Sequence, residues 1–389
     1  MDTYSSDFAE ISHCGVQATF TVRWDSDGRR RISTRLQGTS GNPMAMIAIY
    51  VAVPQGIPIS DVSMGGIGQP FSTLPPPHSL LVYLGSDSEG RWGHQCPECG
   101  GYFRNGRHSA MYPLTCPYCG LRADAYTFLT EAHSRYAQLY ISAYIEALSA
   151  TSVISPERQF VIDMDEIAEL SVDQRSDFYY TSQTQQTRFT CPKCGEFNDI
   201  RGKFGYCASC GLRNNLASVE ETLKELRTGL TEKSMSPETV ISKAVSVFDA
   251  SCRDTIEQLK SRVPLTLGRR NRLDNLSFHN MERLATEIEA AFGIQMLRGS
   301  DPETINFLKI MIQRRHIFEH RGGVADDAYV NNSGDNLWRS GDLIRETAEN
   351  APIFLTALLK IARNIHEYFH EIFPLIPEPI EHFQVKSRK

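Results

Sequence analysis

The chain has 389 residues, enough for two to four domains with cores of their own. A hydrophobic content of 41% with 22% charged residues excludes a largely disordered protein, and a net charge of -6 excludes a uniformly basic polyanion binder. The opening MDTYSSDFAE has neither a basic nor an apolar signal region, and the apolar runs at 45–53 and 353–361 are too short to span a bilayer, so a cytoplasmic protein with no membrane partner is expected.

Residues 1–92 read as a β-rich domain. The alternation over 17–24, the turn pair Asp27-Gly28 and the return over 29–36 predict a hairpin. The apolar run 46–53 predicts a buried strand. Gly and Pro then dominate through Gly65-Gly66 and Pro75-Pro76-Pro77 before a further strand at 80–84. Residues 123–187 read as a helix over 125–149 followed by a linker, with a short strand at 160–162. From 215 to 389 the texture becomes helical. Ser236-Pro237-Glu238 and Asp301-Pro302-Glu303 each supply an N-cap with Pro at the first helical position. Further helices are expected over 278–292 and 351–373, which gives an all-α bundle of four or five helices. The helix opened by Asp301 carries Ile305, Leu308, Met311 and Ile312 on one face and stops at Gly322-Gly323. The fold class expected is therefore multidomain α+β.

Eight of the ten cysteines fall in four C-x-x-C-Gly units. Cys96, Cys99, Cys116 and Cys119 lie within 93–122, and Cys191, Cys194, Cys207 and Cys210 within 188–212. The short spacing lets two thiolates reach one ion, and the glycine accommodates the tight turn behind them. Two pairs separated by a hairpin-length insert supply four thiolates for a tetrahedral ion. Both modules resemble zinc ribbons, which implies two structural zinc ions with no open coordination position. Cys14 and Cys252 stand apart and read as small buried residues.

The chemistry-bearing stretch is RRHIFEHRGGVADDAY, residues 314–329. His316-Ile317-Phe318-Glu319-His320 has the H-x-x-E-H order of an inverted zinc-peptidase motif, but that reading needs a third ligand downstream in a larger α/β setting. Arg315, His316 and His320, followed by G-G-V-x-D-x-x-Y, resemble the HEPN superfamily, a helical bundle whose ribonuclease members carry Arg, a polar residue, three variable positions and His. The resemblance covers 215–389 and is specific over 315–329. It implies a metal-independent endoribonuclease that works through the 2′-OH of RNA and leaves a 2′,3′-cyclic phosphate, with no catalytic metal. His320 is then the general acid/base, Arg315 the phosphate clamp and His316 its helper, with Glu319 placed four residues on to fix Arg315.

The resemblance also implies a homodimer through the bundle and a role in bacterial antiviral defence or as a toxin. RNA is the partner, with tRNA or other single-stranded loops as candidates, and a regulatory or trigger protein is a further candidate. Arg314 and Arg321 flank the motif. Arg269, Arg270 and Arg272, with Lys260 and Arg262, form a basic cluster between two predicted helices that suits RNA phosphates. The rival expectation is a non-catalytic scaffold of HEPN and zinc-ribbon type that binds RNA or protein.

Overall fold

The computed structural model describes residues 10–11, 15–24, 26–27, 30–38, 46–55, 78–87, 89–106, 113–150, 157–171, 177–181, 183–276 and 280–388. Gly28, Gly65-Gly66, Pro75-Pro76-Pro77, Cys14 and the first residues of the helix expected from 278 lie outside them. The fold is mixed α+β, and the chain divides into two compact units, residues 1–212 with 376–389, and residues 213–375. Among the described residues no helix is long and apolar enough to cross a membrane.

In the first unit, β1 (Val16–Trp24) pairs antiparallel with β2 (Arg30–Gly38), giving the hairpin that the alternation predicts. Strand β3 (Met46–Ala52) pairs with β4 (Ser79–Gly85), whose residues are all buried. Four short strands follow: β5 (Trp92–Gln95), β6 (Tyr102–Asn105), β7 (Leu114–Thr115) and β8 (Arg122–Ala123). Helix α1 (Glu131–Ser149) starts at Thr130, whose hydroxyl accepts from the His133 backbone N–H.

Strand β9 (Glu157–Asp163) returns to the other edge of β1, giving the order β2-β1-β9, and leads into α2 (Met164–Ser171). The segment expected as a linker therefore completes the β-domain. The cause is aromatic packing: Phe20 of β1 stacks on Phe160 of β9 at 5.0 Å and meets Tyr144 of α1 edge-on at 5.0 Å. Strand β10 (Gln186–Thr190) and β11 (Phe197–Arg201) then join the earlier pair in a four-stranded sheet ordered β10-β11-β6-β5.

The second unit is helical: α3 (Asn215–Thr231), α4 (Pro237–Arg262), α5 (Leu267–Asp274), α6 (Met281–Phe292), α7 (Pro302–His320), α8 (Asp327–Ser333) and α9 (Asn350–Ile372). Both predicted caps form. Ser236 accepts from the Thr239 N–H at 3.3 Å and Asp301 from the Thr304 N–H at 2.7 Å. Helices α3, α4, α7 and α9 pack around Leu223, Val240, Phe248, Leu308, Met311, Phe354 and Leu358, all buried. The last helix, α10 (Pro377–Ser387), expected in the bundle, belongs to the first unit. There Ile376 N–H donates to the Cys210 carbonyl at 2.9 Å, and the Phe383 ring lies against Gly195.

Candidate functional site

The four C-x-x-C-Gly units fold alike. In each, the glycine N–H donates back to the carbonyl of the first cysteine: Gly100 to Cys96, Gly120 to Cys116, Gly195 to Cys191 and Gly211 to Cys207, at 2.9–3.0 Å. Each of these glycines has a φ between 67° and 77°, the left-handed region that L side chains avoid. The first cysteine of each unit donates its own N–H onward, to the carbonyls of Gly101, Leu121, Glu196 and Leu212. Both thiols of a unit are thereby turned to one side.

The units then meet in pairs. Cys96 Sγ lies 3.6 Å from Cys119 Sγ and Cys99 Sγ 3.7 Å from Cys116 Sγ. In the second set the distances are 3.5 Å for Cys191 to Cys210 and 3.6 Å for Cys194 to Cys207. A disulfide would bring sulfurs to about 2.05 Å. A tetrahedron with metal–sulfur bonds of about 2.3 Å has edges near 3.8 Å, so each set fits one four-coordinate metal ion. All four thiols of the second set are buried, whereas in the first Cys99 is exposed and Cys119 half-buried.

The two modules, read in the sequence as separate, share backbone. Strand β6 of the first pairs with β11 of the second, Arg104 opposite Asp199. Behind them, Thr115 N–H donates to the Ala208 carbonyl and Tyr206 N–H to the Pro117 carbonyl. Arg104, fully buried, lies 3.1 Å from Asp87, 2.7 Å from Glu89 and 3.5 Å from Asp199. Burial pushes the Asp87 carboxyl up to about 6 despite the Arg104 charge. The guanidinium ties the two modules into one body.

On α7, Arg315, His316, Glu319 and His320 come together over the last turns. Arg315 Nη2 lies 2.7 Å from Glu319 Oε2, the pairing expected of the four-residue spacing, and His320 Nε2 lies 3.9 Å from the same oxygen. The imidazoles of His316 and His320 are 4.8 Å apart, centre to centre. His320 is exposed, whereas the Arg315 side chain is 16% exposed, with Nε buried and without a hydrogen-bond partner. Among the described residues, the two cysteine sets are the groups of three or more His, Cys, Asp or Glu close enough to hold one ion. The H-x-x-E-H pattern therefore has no third ligand at hand, which removes the support for a peptidase.

The GGVADDAY run sets the course of the chain beyond the helix. Gly322 and Gly323, with φ of 60° and 87°, turn the chain out of α7. Ile344 N–H donates to the Gly323 carbonyl and Ala325 N–H to the Asp342 carbonyl, so 323–325 run beside 341–344. Asp326 caps α8, accepting from the Tyr329 N–H at 2.8 Å. Tyr329 donates its hydroxyl to Asp335 at 2.6 Å.

Arg314, expected to meet RNA, does not face solvent. Its side chain is 9% exposed and lies 2.7 Å from Asp335 and 2.8 Å from Glu346, both buried, with Nε donating to the Tyr329 hydroxyl. Burial would lower its charge, but these partners hold the guanidinium firmly protonated. It fastens the 334–349 loop to α7. Nothing in the sequence pairs Arg314 with Asp335 or Glu346, which have no spacing relation to it; Tyr329 stood inside the quoted motif.

The basic cluster is also rearranged. Arg269, Arg270 and Arg272 sit exposed on α5, not in a loop. Arg270 donates to the Lys260 carbonyl and Arg272 lies 3.3 Å from Glu287. Lys260 is buried and paired with Glu257 and Asp274, so it is not available to phosphate. Arg321 is exposed and lies 3.3 Å from Asp326. The chain matches no protein-family model, no curated protein and no solved structure.

Proposed function

We propose that the protein is a metal-independent endoribonuclease whose catalytic groups are Arg315, His320 and His316, carried on a bundle that resembles the HEPN superfamily. One observation carries the reading: a guanidinium with a single carboxylate partner stands beside an exposed imidazole, with Glu319 reaching both. Arg has five N–H donors in a fixed fork, and Glu319 engages one end of it. The remainder suits a phosphate oxygen. An imidazole can both take and give a proton, which suits transfer at the 2′-OH or the 5′-oxygen.

In the proposed reaction the 2′-oxygen loses its proton to a base and attacks phosphorus. The bond from phosphorus to the 5′-oxygen breaks, and that oxygen leaves with a proton. The products are a 2′,3′-cyclic phosphate and a 5′-hydroxyl. Arg315 balances the extra charge on the phosphorane-like transition state, His320 moves a proton, and His316 orients His320 or the phosphate. One chain offers one such group, so two copies facing each other across a homodimer complete the site in this reading. The two ribbon sites take zinc as a structural ion, and Arg321 with the α5 arginines supplies phosphate contacts. A defensive or toxic role against tRNA follows from the resemblance.

The test is cleavage of total RNA and of defined loops by the full chain. His320→Ala and Arg315→Ala each lower the rate by at least ~100-fold, the range of a lost acid/base or charge-stabilising group. A 2′-deoxy residue at the cut blocks the reaction, and end-group analysis finds the cyclic phosphate. Equal cleavage by His320→Ala overturns the assignment. RNA binding with no cleavage by the wild type would favour the scaffold, the second reading.

A further inference from the structure

A cleft of about 250 Å³ opens between α7 and α8, beside the candidate catalytic residues. Ile312, Ile317 and Ala328 give it apolar walls, and Gln313, Asn332 and His316 stand at its polar side. Its two other polar residues are already engaged. The Tyr329 hydroxyl is held by Asp335, which leaves the ring to the cleft, and the Asp326 carboxylate takes the Tyr329 N–H and the Arg321 charge. The cleft therefore presents apolar surface, two neutral amides and the His316 imidazole, with the Asp326 charge met by Arg321. Among the described residues neither amide side chain is hydrogen-bonded to a protein group.

Such a lining does not suit phosphate or a metal ion, both of which need formal charge or several strong dipoles. It suits a flat, neutral group with donors and acceptors on its edge. Pockets for whole drug-sized ligands run roughly 300–1,000 Å³, so this volume suits a single ring system. Each carboxamide offers a donor and an acceptor side by side, the complement of a base edge. His316 lines the cleft and lies 4.8 Å, ring to ring, from His320, so the group bound there adjoins the reacting phosphate.

We infer that this cleft receives one unstacked nucleobase of the RNA strand, from a nucleotide next to the scissile phosphate, with Gln313 and Asn332 holding its edge. The inference rests on the ribonuclease reading for the position of the phosphate. It adds a specificity site and a substrate class, because only unpaired nucleotides in loops or single strands can turn a base into the cleft.

The experiment uses the full-length protein carrying His320→Ala, and single-stranded RNA with 2-aminopurine placed at each position in turn. Base fluorescence rises or falls when the probe leaves its stack for a protein pocket. One position is expected to change on binding, and Gln313→Leu and Asn332→Leu remove that change. The overall affinity stays within roughly threefold, since phosphate contacts dominate it. Both residues lie at the surface side of the cleft, so far-UV circular dichroism is expected to match the parent. The same substitutions in the cleaving protein lower the penalty of an abasic residue beside the cut. A fluorescence change that survives both substitutions, or no change at any position while RNA binds, overturns the base site alone. RNA that neither binds nor is cut by the wild type overturns the ribonuclease reading, and this inference with it.

Discussion

Replacing Arg314 with Met tests whether this arginine is a staple of the fold or a contact for RNA. Met keeps much of the apolar stem and removes the charge, leaving Asp335 and Glu346 without their guanidinium, with side chains 3% and 0% exposed. Breaking a buried ion pair by removing one partner costs about 3–5 kcal/mol, because an uncompensated charge remains in low dielectric. For a unit spanning 213–375, each kcal/mol corresponds to roughly 2–4 °C, so the helical transition should fall by about 6–20 °C.

The pH dependence has a definite sign. Burial pushes the Asp335 carboxyl up, but hydrogen bonds from Tyr329 and Arg314 and the Arg314 charge outweigh it and hold it below the usual range. A carboxylate with a depressed folded value gives stability that is present above its unfolded value, ~3.9, and lost as pH falls through the folded one. The difference between wild type and Arg314→Met is therefore largest near neutrality and narrows below about pH 4. Urea unfolding followed by far-UV circular dichroism from pH 3 to 7 reads both effects. A loss under about 1 kcal/mol at pH 7, or a loss that does not narrow in acid, would refute the staple.

The asymmetry of the cysteine sets predicts metal loss in two steps. In zinc-loaded protein a small thiol-modifying reagent reaches Cys99 while the second set stays buried, so one equivalent of the added zinc should appear in a chelator assay at least roughly tenfold faster than the other. A single phase that releases both ions would contradict this. Burial lowers the imidazole of His94 to about 4 and that of His133 to about 3. Both should stay neutral by imidazole NMR well below pH 6. Their stabilising contribution is present above the unfolded value and is lost as pH falls from about 6.5 toward 4, so protonation at pH 6 would refute it. Glu319→Gln removes an ion pair at a half-exposed site, worth under about 1 kcal/mol, so the melting temperature should hardly move. Cleavage should fall about tenfold through a mobile Arg315, and an unchanged rate would remove Glu319 from the site.

The cysteine knuckles were legible because everything they need is local. The second cysteine and its glycine follow within four residues, and the backbone hydrogen bonds close within five. The fusion of the two modules was not legible. It depends on Arg104 meeting Asp199, 95 residues later, with a strand pairing too short to show in periodicity. The third strand of the first sheet was half visible: Phe160-Val161-Ile162 reads as a strand, but nothing local says that its partner is β1. On α7 the caps and the glycine stop were legible. The side of the helix on which each arginine falls was hidden by its charge, although Leu308, Met311, Arg314 and Ile317 follow one another at steps of three.

That spacing decides what two adjacent arginines can do. Successive helical residues point about 100° apart, so Arg314 and Arg315 cannot share an environment. Arg314 turns into the unit and is met by two buried carboxylates and a tyrosine, a set that satisfies its fork and leaves it no capacity for a ligand. Arg315 lies against the surface with one carboxylate, which fixes its direction without saturating its donors. In the proposed reaction it is the end of the guanidinium away from Glu319 that meets the phosphate, since Nε itself is buried. Ordering its long side chain has already been met by folding and is not charged to binding. Arg314 contributes to the same end at one remove, since the loop it anchors fixes Tyr329 and α8, and with them the wall of the cleft beside His316.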